Sequence, residues 1–278
     1  MPQTLLSPDR PRSAVVTGAA RGIGRAIAVE LVARGYLVLV TDVDGPAAEA
    51  TAAEIGAHAG MGLDVTDPDA NRLVAARAVE VAPLGAWVCN AGVAFDGDLL
   101  DLSDAQVRLQ VQVNVLGVMW GARAAGDAFR EQVAAGQEGG EIGIVASLSA
   151  HAPVPNLSVY AATKAAVLSL ATSIASELRG DGTRVHAVCP DGVSTAMLEG
   201  FDPAGSTREI LAAGVLLTPE TVARELVAMF GTGRVYRTLP AWRGAVARSA
   251  SLAPTLAMRL DPLMRRLGAS RLRSAGLR

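Results

Sequence analysis

Thr17-Gly18-Ala19-Ala20-Arg21-Gly22-Ile23-Gly24 is the stretch that decides the fold of this chain. The apolar run Ala14 to Thr17 precedes it and an apolar-periodic segment, Gly22 to Arg34, follows, so the glycines stand where a strand hands over to a helix. Gly18, Gly22 and Gly24 let the backbone turn sharply, approach a pyrophosphate closely and aim helix N-terminal amides at it. Glycine turns between strand and helix also occur for plain packing, so the surrounding pattern has to decide what this one does.

Outward from the turn, short apolar runs bounded by Gly, Asp or Pro alternate with longer helical patterns. The runs are Ala14 to Thr17, Leu37 to Asp42, Gly60 to Val65, Trp87 to Cys89, Ile142 to Ala146 and Val185 to Cys189, with Val235 to Leu239 as a seventh. Helices are predicted over Gly22 to Arg34, Pro46 to Ile55, Asp67 to Val81, Ser103 to Ala134, Val159 to Arg179 and Thr218 to Phe230. This alternation is the signature of an α/β fold: a Rossmann-type doubly wound parallel sheet of about seven strands with helices on both faces. No repeat or linker divides residues 1–239, although Gln137-Glu138-Gly139-Gly140 reads as a turn and Gly200 to Thr207 as a loop. The chain is therefore read as one dinucleotide-binding and catalytic domain, 1–239, followed by a basic amphipathic extension, 240–278.

Composition narrows the function classes. Of 278 residues, half are hydrophobic and only 4% aromatic, so the core must be built mainly from Ala, Val, Leu and Ile. A net charge of −2 and a pI near 6.0 give no overall attraction to nucleic acid. The charge is uneven: from Pro240 to Arg278 eight Arg face the single acid Asp261. Cys89 and Cys189 each end an apolar run without a CxxC or Cys/His cluster, as reduced core thiols do. His58, His151 and His186 form no metal-ligand cluster either, so no metal is expected. Met1 to Ser13 has no apolar stretch of signal-peptide length, and no segment approaches the ~18 uninterrupted apolar residues of a membrane span. A cytoplasmic enzyme is expected.

The second run closes with Asp42, eighteen residues after Gly24, where a carboxylate accepts hydrogen bonds from an adenosine ribose and repels a 2′-phosphate. NAD is favoured on that ground. Arg21 keeps NADP open, since a guanidinium there could pair with a 2′-phosphate, a solvated surface arginine being the other reading. Asp64, in Leu63-Asp64-Val65, is placed to accept from an adenine amino group or to cap the next helix. Asn90-Ala91-Gly92, straight after the fourth run, brings backbone to the carboxyl end of the sheet, where ligands of such sheets bind.

Farther along, Ser158-Val159-Tyr160-Ala161-Ala162-Thr163-Lys164 puts Tyr160 and Lys164 four apart on one helix face, thirteen residues beyond Ser147. A nearby ammonium lowers the phenol from its usual ~10 towards a range useful for acid/base work. Hydride leaves an alcohol carbon only as the hydroxyl proton is removed, so Tyr160 is read as the base and Ser147 as donor to the substrate oxygen. Ser149 is the rival, two residues on along the same strand. Asn114, a polar residue in the apolar Val113-Asn114-Val115-Leu116-Gly117, needs partners, because burying an unpaired amide costs about 1–3 kcal/mol.

From about Ser13 to about Leu239 the chain resembles the short-chain dehydrogenase/reductase family, on the motifs Thr17 to Gly24, Asn90 to Gly92 and Tyr160 to Lys164. The resemblance implies a homo-oligomeric, nicotinamide-dependent oxidoreductase with Asn114, Ser147, Tyr160 and Lys164 as its tetrad. It implies that Lys164 also holds ribose hydroxyls, that Asn114 binds a water leading to the lysine, and that Val193 and Thr195 contact the nicotinamide carboxamide. Cys189-Pro190-Asp191-Gly192 departs from the family by placing Asp191 where a glycine is expected, and Met197 to Val215 falls where the family carries a substrate lid. Cofactor contacts are thus expected at Gly18, Arg21, Gly22, Ile23, Gly24, Asp42, Asp64, Val65, Asn90, Ala91, Gly92, Tyr160, Lys164, Val193 and Thr195. Substrate contacts are expected at Ser147, Leu148, His151, Tyr160, Met197 and Leu198.

The would-be wall, His151, Ala152, Pro153, Val154, Asn156, Leu157, Met197, Leu198 and Phe201, is mainly apolar and favours a hydrophobic secondary alcohol or its ketone. His151 either meets substrate or hydrogen-bonds backbone. An NADP-linked carbonyl or 3-oxoacyl reductase, and a cofactor-sensing protein without turnover, are the alternative functions. Apolar residues of the Tyr160 helix beyond its cofactor side, among them Ala165, Ala166, Leu168, Leu170, Ile174 and Ala175, suggest a homodimer or homotetramer. The extension packs on its own protein, packs against a neighbouring subunit, or reaches an anionic membrane as a peripheral contact.

Overall fold

The computed structural model describes residues 10–152, 154–195 and 216–252, together with 255 and 259. Seven parallel strands form one sheet in the order β3-β2-β1-β4-β5-β6-β7: β1 Ser13–Thr17, β2 Leu37–Asp42, β3 Ala59–Gly62, β4 Leu84–Cys89, β5 Glu141–Val145, β6 Arg184–Pro190 and β7 Tyr236–Leu239. The order reverses between β1 and β4, which both pair with parallel register, and so opens a crevice at their carboxyl ends.

Helices cover both faces because the strands are apolar on both. On one side Trp87, Ile142, Ile144 and Phe129 pack with α3 Pro68–Val81, α5 Gly117–Ala134 and α6 Ser158–Glu177. On the other, Val16, Val40, Ile27, Leu31 and Leu226 pack with α1 Gly22–Ala33, α2 Gly45–Ile55 and α7 Pro219–Val227. Each fully buried side chain of this kind contributes about 1.5–3 kcal/mol. Cys89 and Cys189 are free and buried, and burial pushes both thiols up to about 12, far from a reactive thiolate.

Three expectations are corrected. The helix expected over Ser103 to Ala134 is not continuous: α4 Asp104–Val111, with a Ser103–Gln106 capping box, runs into a π-helical turn at Gln112–Leu116 before α5. The extra residue in that turn carries Asn114, whose amide is claimed by Val93. The third strand stops at Gly62, the partner of Asp42 at the end of β2, so Leu63-Asp64-Val65 lies beyond the ladder. Asp64 does not cap α3 either. Asp67 does, while Asp64 accepts from the Thr66 amide and hydroxyl.

The extension begins inside the fold. Helix α8, Ala241–Leu252, packs on β7, with Gly244 buried against Thr238 so closely that a Cβ would meet the threonine side chain at 2.6 Å. The expected loop Gly200 to Thr207, the lid segment with Met197, Leu198 and Phe201, and Pro153 lie outside the described residues.

Candidate active site

The glycine turn has the shape its sequence demands. Gly18 and Gly22 take φ of +62° and +58°, a left-handed conformation that other residues adopt only at a cost. A Cβ on Gly18 would stand 2.7 Å from the Ala91 Cα, and one on Gly24 would run into the Gly18 carbonyl and the Asn90 amide. Arg21 precedes α1 with extended backbone and no side-chain cap, whereas α2, α3, α4 and α7 are each capped by a side chain. The first amides of α1 are thus left for a ligand.

Asn90 and Thr17 build this cradle rather than merely border it. The Asn90 side-chain amide donates to the carbonyls of Thr17 and Gly18, both at 2.9 Å. The Thr17 hydroxyl accepts from the amides of Asn90 and Ala91 at 3.0 and 3.1 Å. Asp42 sits beside it, its two carboxylate oxygens accepting from the Ala20 and Asp44 amides at 3.1 and 3.2 Å, while Arg21 and Asp64 are exposed. Val65 is buried against Gly117. At the far side Thr195 approaches Gly22, 3.6 Å from where a Cβ there would lie, and Val193 pairs with Leu217. A pyrophosphate-bearing dinucleotide fits this set: a close-approach glycine cradle, uncapped helix amides and a carboxylate at the neighbouring strand end.

Ser147 follows β5 after Ala146 and heads the short 3-10 turn Leu148–Ala150. Ser149 lies in that turn and not on a strand, so it does not share a strand face with Ser147. Its hydroxyl and its amide instead donate to Ser147 Oγ at 2.9 and 3.1 Å. Ser147 lies close enough to the Tyr160 hydroxyl to favour its ionised form. The Lys164 ammonium lies 5.6 Å from the Tyr160 ring centre and donates to the Val145 carbonyl at 2.9 Å.

Burial dominates the electrostatics of this pair. Lys164 is 4% exposed, and desolvation pulls it from 10.5 down to about 8, against a small opposing pull from Cys189. Tyr160 is half-buried, and desolvation pushes it from 10 up to about 12, with Ser147 pulling the other way. The phenol is therefore raised where a lowering by Lys164 was expected, because excluding water costs the phenolate more than its neighbours return.

Asn114 is fully buried with its polar atoms engaged. Oδ1 accepts from the Val93 amide, and Nδ2 donates to the Val93 carbonyl, both at 2.8 Å, and to Thr163 Oγ1 at 3.1 Å. Thr163 itself donates to the Tyr160 carbonyl at 2.7 Å. Asn114 and Lys164 flank Gly92, where a Cβ would stand 3.3 Å from Asn114 Oδ1 and 3.5 Å from Lys164 Nζ. All four tetrad positions thus gather at the carboxyl ends of β4 and β5. His151 turns the other way: Nε2 meets Thr238 Oγ1 at 3.2 Å and the ring packs on Tyr236. Its partial burial and Arg248 lower its pKa. Sequence reading passed over Thr17, Thr163 and the bonding of Ser149, though a threonine three residues after Tyr160, able to bond back to its carbonyl, was a visible sign.

Such a crevice defines the class first: an open α/β sheet shaped to hold a dinucleotide beside a Ser-Tyr-Lys cluster. Residues 12–204 match the family model described as short chain dehydrogenase, and the chain belongs to that family. Galactitol 2-dehydrogenase (L-tagatose-forming) of Cereibacter sphaeroides is 38% identical over 190 residues, 66% of this chain and 72% of that protein. The probable oxidoreductase EphD of Mycobacterium tuberculosis is 34% identical over 201 residues, covering 70% of this chain but only 33% of the relative. Among solved structures, 3-ketoacyl-(acyl-carrier-protein) reductase from Brucella melitensis, complexed with NADH, superposes with a TM-score of 0.74 at 29% identity, covering 84% of this chain and 98% of that one.

Proposed function

We propose that the chain is a nicotinamide-dependent oxidoreductase that interconverts a hydrophobic secondary alcohol and its ketone. The observation that carries this reading is the convergence of Ser147, Tyr160 and Lys164: a serine beside a half-buried phenol, with an ammonium 5.6 Å from its ring. The nicotinamide supplies the hydride acceptor or donor. Tyr160 takes the alcohol proton in oxidation and returns it in reduction, and Ser147, oriented by Ser149, donates to the substrate oxygen. Lys164 would hold the ribose hydroxyls of a bound nicotinamide dinucleotide, its side-chain nitrogen 5.6 Å from the Tyr160 ring. Asn114 fixes the Val93 backbone over this cluster.

The cradle of Gly18, Gly22 and Gly24 with the uncapped amides at Ile23 and its neighbours would hold the pyrophosphate, and Asp42 the adenosine ribose. Asp64 and Val65 border the adenine side, and Val193 and Thr195 the nicotinamide side. NAD is favoured over NADP because the Asp42 carboxylate would face a 2′-phosphate; the NADH complex of the reductase neighbour is in keeping with this. Leu148, Ala152, Val154 and Leu157 give the described part of the substrate wall its apolar character.

Buried thiols at Cys89 and Cys189 suit a reducing compartment, and we place the protein in the cytoplasm. Among the described residues one helix, Ser158–Asp181, is long and apolar enough to cross a membrane, but it is the helix packed on the sheet that carries Tyr160 and Lys164. A homodimer or homotetramer is supported by an open apolar groove along α4 and α6, lined by Leu99, Val111, Val115, Val159, Ala162 and Ala166. Leu168, Leu170, Ile174 and Ala175 are used within the subunit, so the exposed Ala162, Ala165 and Ala166 are what α6 offers a second copy.

Fluorescence titration with NADH and NADPH, followed by turnover of hydrophobic secondary alcohols, tests the reading. NADH is expected to bind more tightly, and Tyr160→Phe is expected to bind it normally while losing turnover. A Tyr160→Phe variant that retained most of its activity would refute the assignment of the base.

A further inference from the structure

Two features that stand apart in the sequence, Asp191 and the basic stretch after Pro240, meet in one contact. The Asp191 carboxylate, 5% exposed, accepts from Arg243 Nε at 2.9 Å, and the Arg243 side chain is 15% exposed. A charge pair so largely removed from water couples the two positions. Arg243 stands near the start of α8. Asp191 begins the loop after β6, with its amide donating to Leu239 O at 2.8 Å.

The next residues are Gly192 to Thr195, clamped by Leu217: the Leu217 amide donates to Gly192 O at 2.8 Å and the Ser194 amide to Leu217 O at 3.0 Å. That loop delivers Thr195 to the glycine turn. At its other end α8 reaches the turn that carries Ser147. Ser251 Oγ donates to the His151 carbonyl, and Arg248 and His151 both reach Thr238 Oγ1. Helix α8 therefore spans from the loop after β6 to the turn after β5.

We propose that Arg243 is a positioning residue, holding the loop Gly192 to Thr195, through Asp191, against the nicotinamide half of a bound dinucleotide. Topology gives the direction. Asp42 ends β2 and Asp191 follows β6, on opposite sides of the β1/β4 reversal, so a dinucleotide anchored at Asp42 runs its nicotinamide towards β6. The inference rests on the dinucleotide reading above.

Binding of NADH and of ADP-ribose, which lacks the nicotinamide, is to be measured by titration on full-length wild type, Arg243→Met, Asp191→Asn and the double variant. Each single change is expected to weaken NADH about tenfold or more, and the double change no further than the worse single one. ADP-ribose affinity is expected to stay at the wild-type value, and Arg243→Lys to recover part of the NADH affinity. Equal loss for both ligands, or loss for neither with only a lower unfolding temperature, would show a purely structural pair and overturn the proposal. Should Arg243→Met not fold, the near-isosteric Asp191→Asn carries the same comparison. A wild type that binds neither NADH nor NADPH overturns the dinucleotide reading itself, an outcome separate from a wild type and variants that bind NADH alike.

Discussion

Lys164→Met isolates the cost of keeping an ammonium in the dry centre of the site. In the folded chain the lysine is displaced from 10.5 to about 8 by burial, which corresponds to about 3 kcal/mol of penalty on its charged form. Between these two values the unfolded chain binds more protons than the folded one, so wild-type stability rises with pH across that window and falls as pH drops through 8. Methionine fills a similar volume without charge, but gives up the 2.9 Å bond to the Val145 carbonyl, a loss of about 1 kcal/mol. The variant is therefore expected to be about 2 kcal/mol more stable than wild type at pH 7. By pH 10.5 that advantage disappears, since the wild-type lysine is then neutral. Tyr160 and Cys189, both near 12 in the folded chain, stay neutral through the window and cancel in the difference. Denaturant unfolding of both proteins at equal concentration from pH 7 to 10.5, without cofactor, gives the comparison. A stability difference that does not change with pH would refute the reasoning, and so would a variant less stable at pH 7.

Subtracting the Tyr160→Phe phenolate absorbance titration from that of wild type should leave no tyrosinate signal below about pH 11 in the cofactor-free protein, given a phenol near 12; a step near pH 9 would contradict this. Gly18→Ala should unfold about 1–3 kcal/mol more easily and lose NADH binding, because the position needs positive φ and a Cβ would press on Ala91 at 2.7 Å; titration and thermal unfolding check both parts. Ser149→Ala should lower kcat while leaving NADH affinity unchanged, since it removes the hydroxyl that orients Ser147 and touches nothing in the glycine cradle. Burial raises Glu141, but hydrogen bonds from His186 and Arg184 outweigh it and hold the carboxyl below its usual 4.5, so its contribution is complete above 4.5 and is lost as pH falls below that value. Glu141→Gln should cost about 3–5 kcal/mol at pH 7 and flatten the acid limb of the stability profile, as denaturant unfolding at pH 3 to 7 would show.

The sheet and its switch point were legible because each strand is a short apolar run punctuated by Gly, Asp or Pro, a local signal that tertiary context did not override. The glycine turn and the Tyr160–Lys164 spacing were legible for the same reason. The π-turn at Asn114 was not, since an apolar helical pattern continues through it. The Val93 backbone, twenty-one residues away, and the Thr163 hydroxyl explain where the amide turns. Nor could spacing foretell the titration of Tyr160. Four residues on a helix bring the ammonium near the phenol, but the amount of water excluded from both is set by β5, the Ser147 turn and the π-turn together.

Asp191 and Arg243 show the same limit at longer range. A carboxylate in the loop after the sixth strand and an arginine in a basic tail were each visible as local departures, fifty-two residues apart, and neither carries information about the other. A single sequence records which side chains are unusual, whereas pairing depends on where β7 returns the chain. It returns beside β6, and the helix that follows runs from the loop after β6 to the Ser147 turn. An arginine placed there without a nearby acid would lose the carboxylate that balances its largely buried charge. That mutual dependence makes the first turn of α8 part of the active-site frame, and it is why cofactor affinity, more than membrane binding, is the property to measure when the tail is altered.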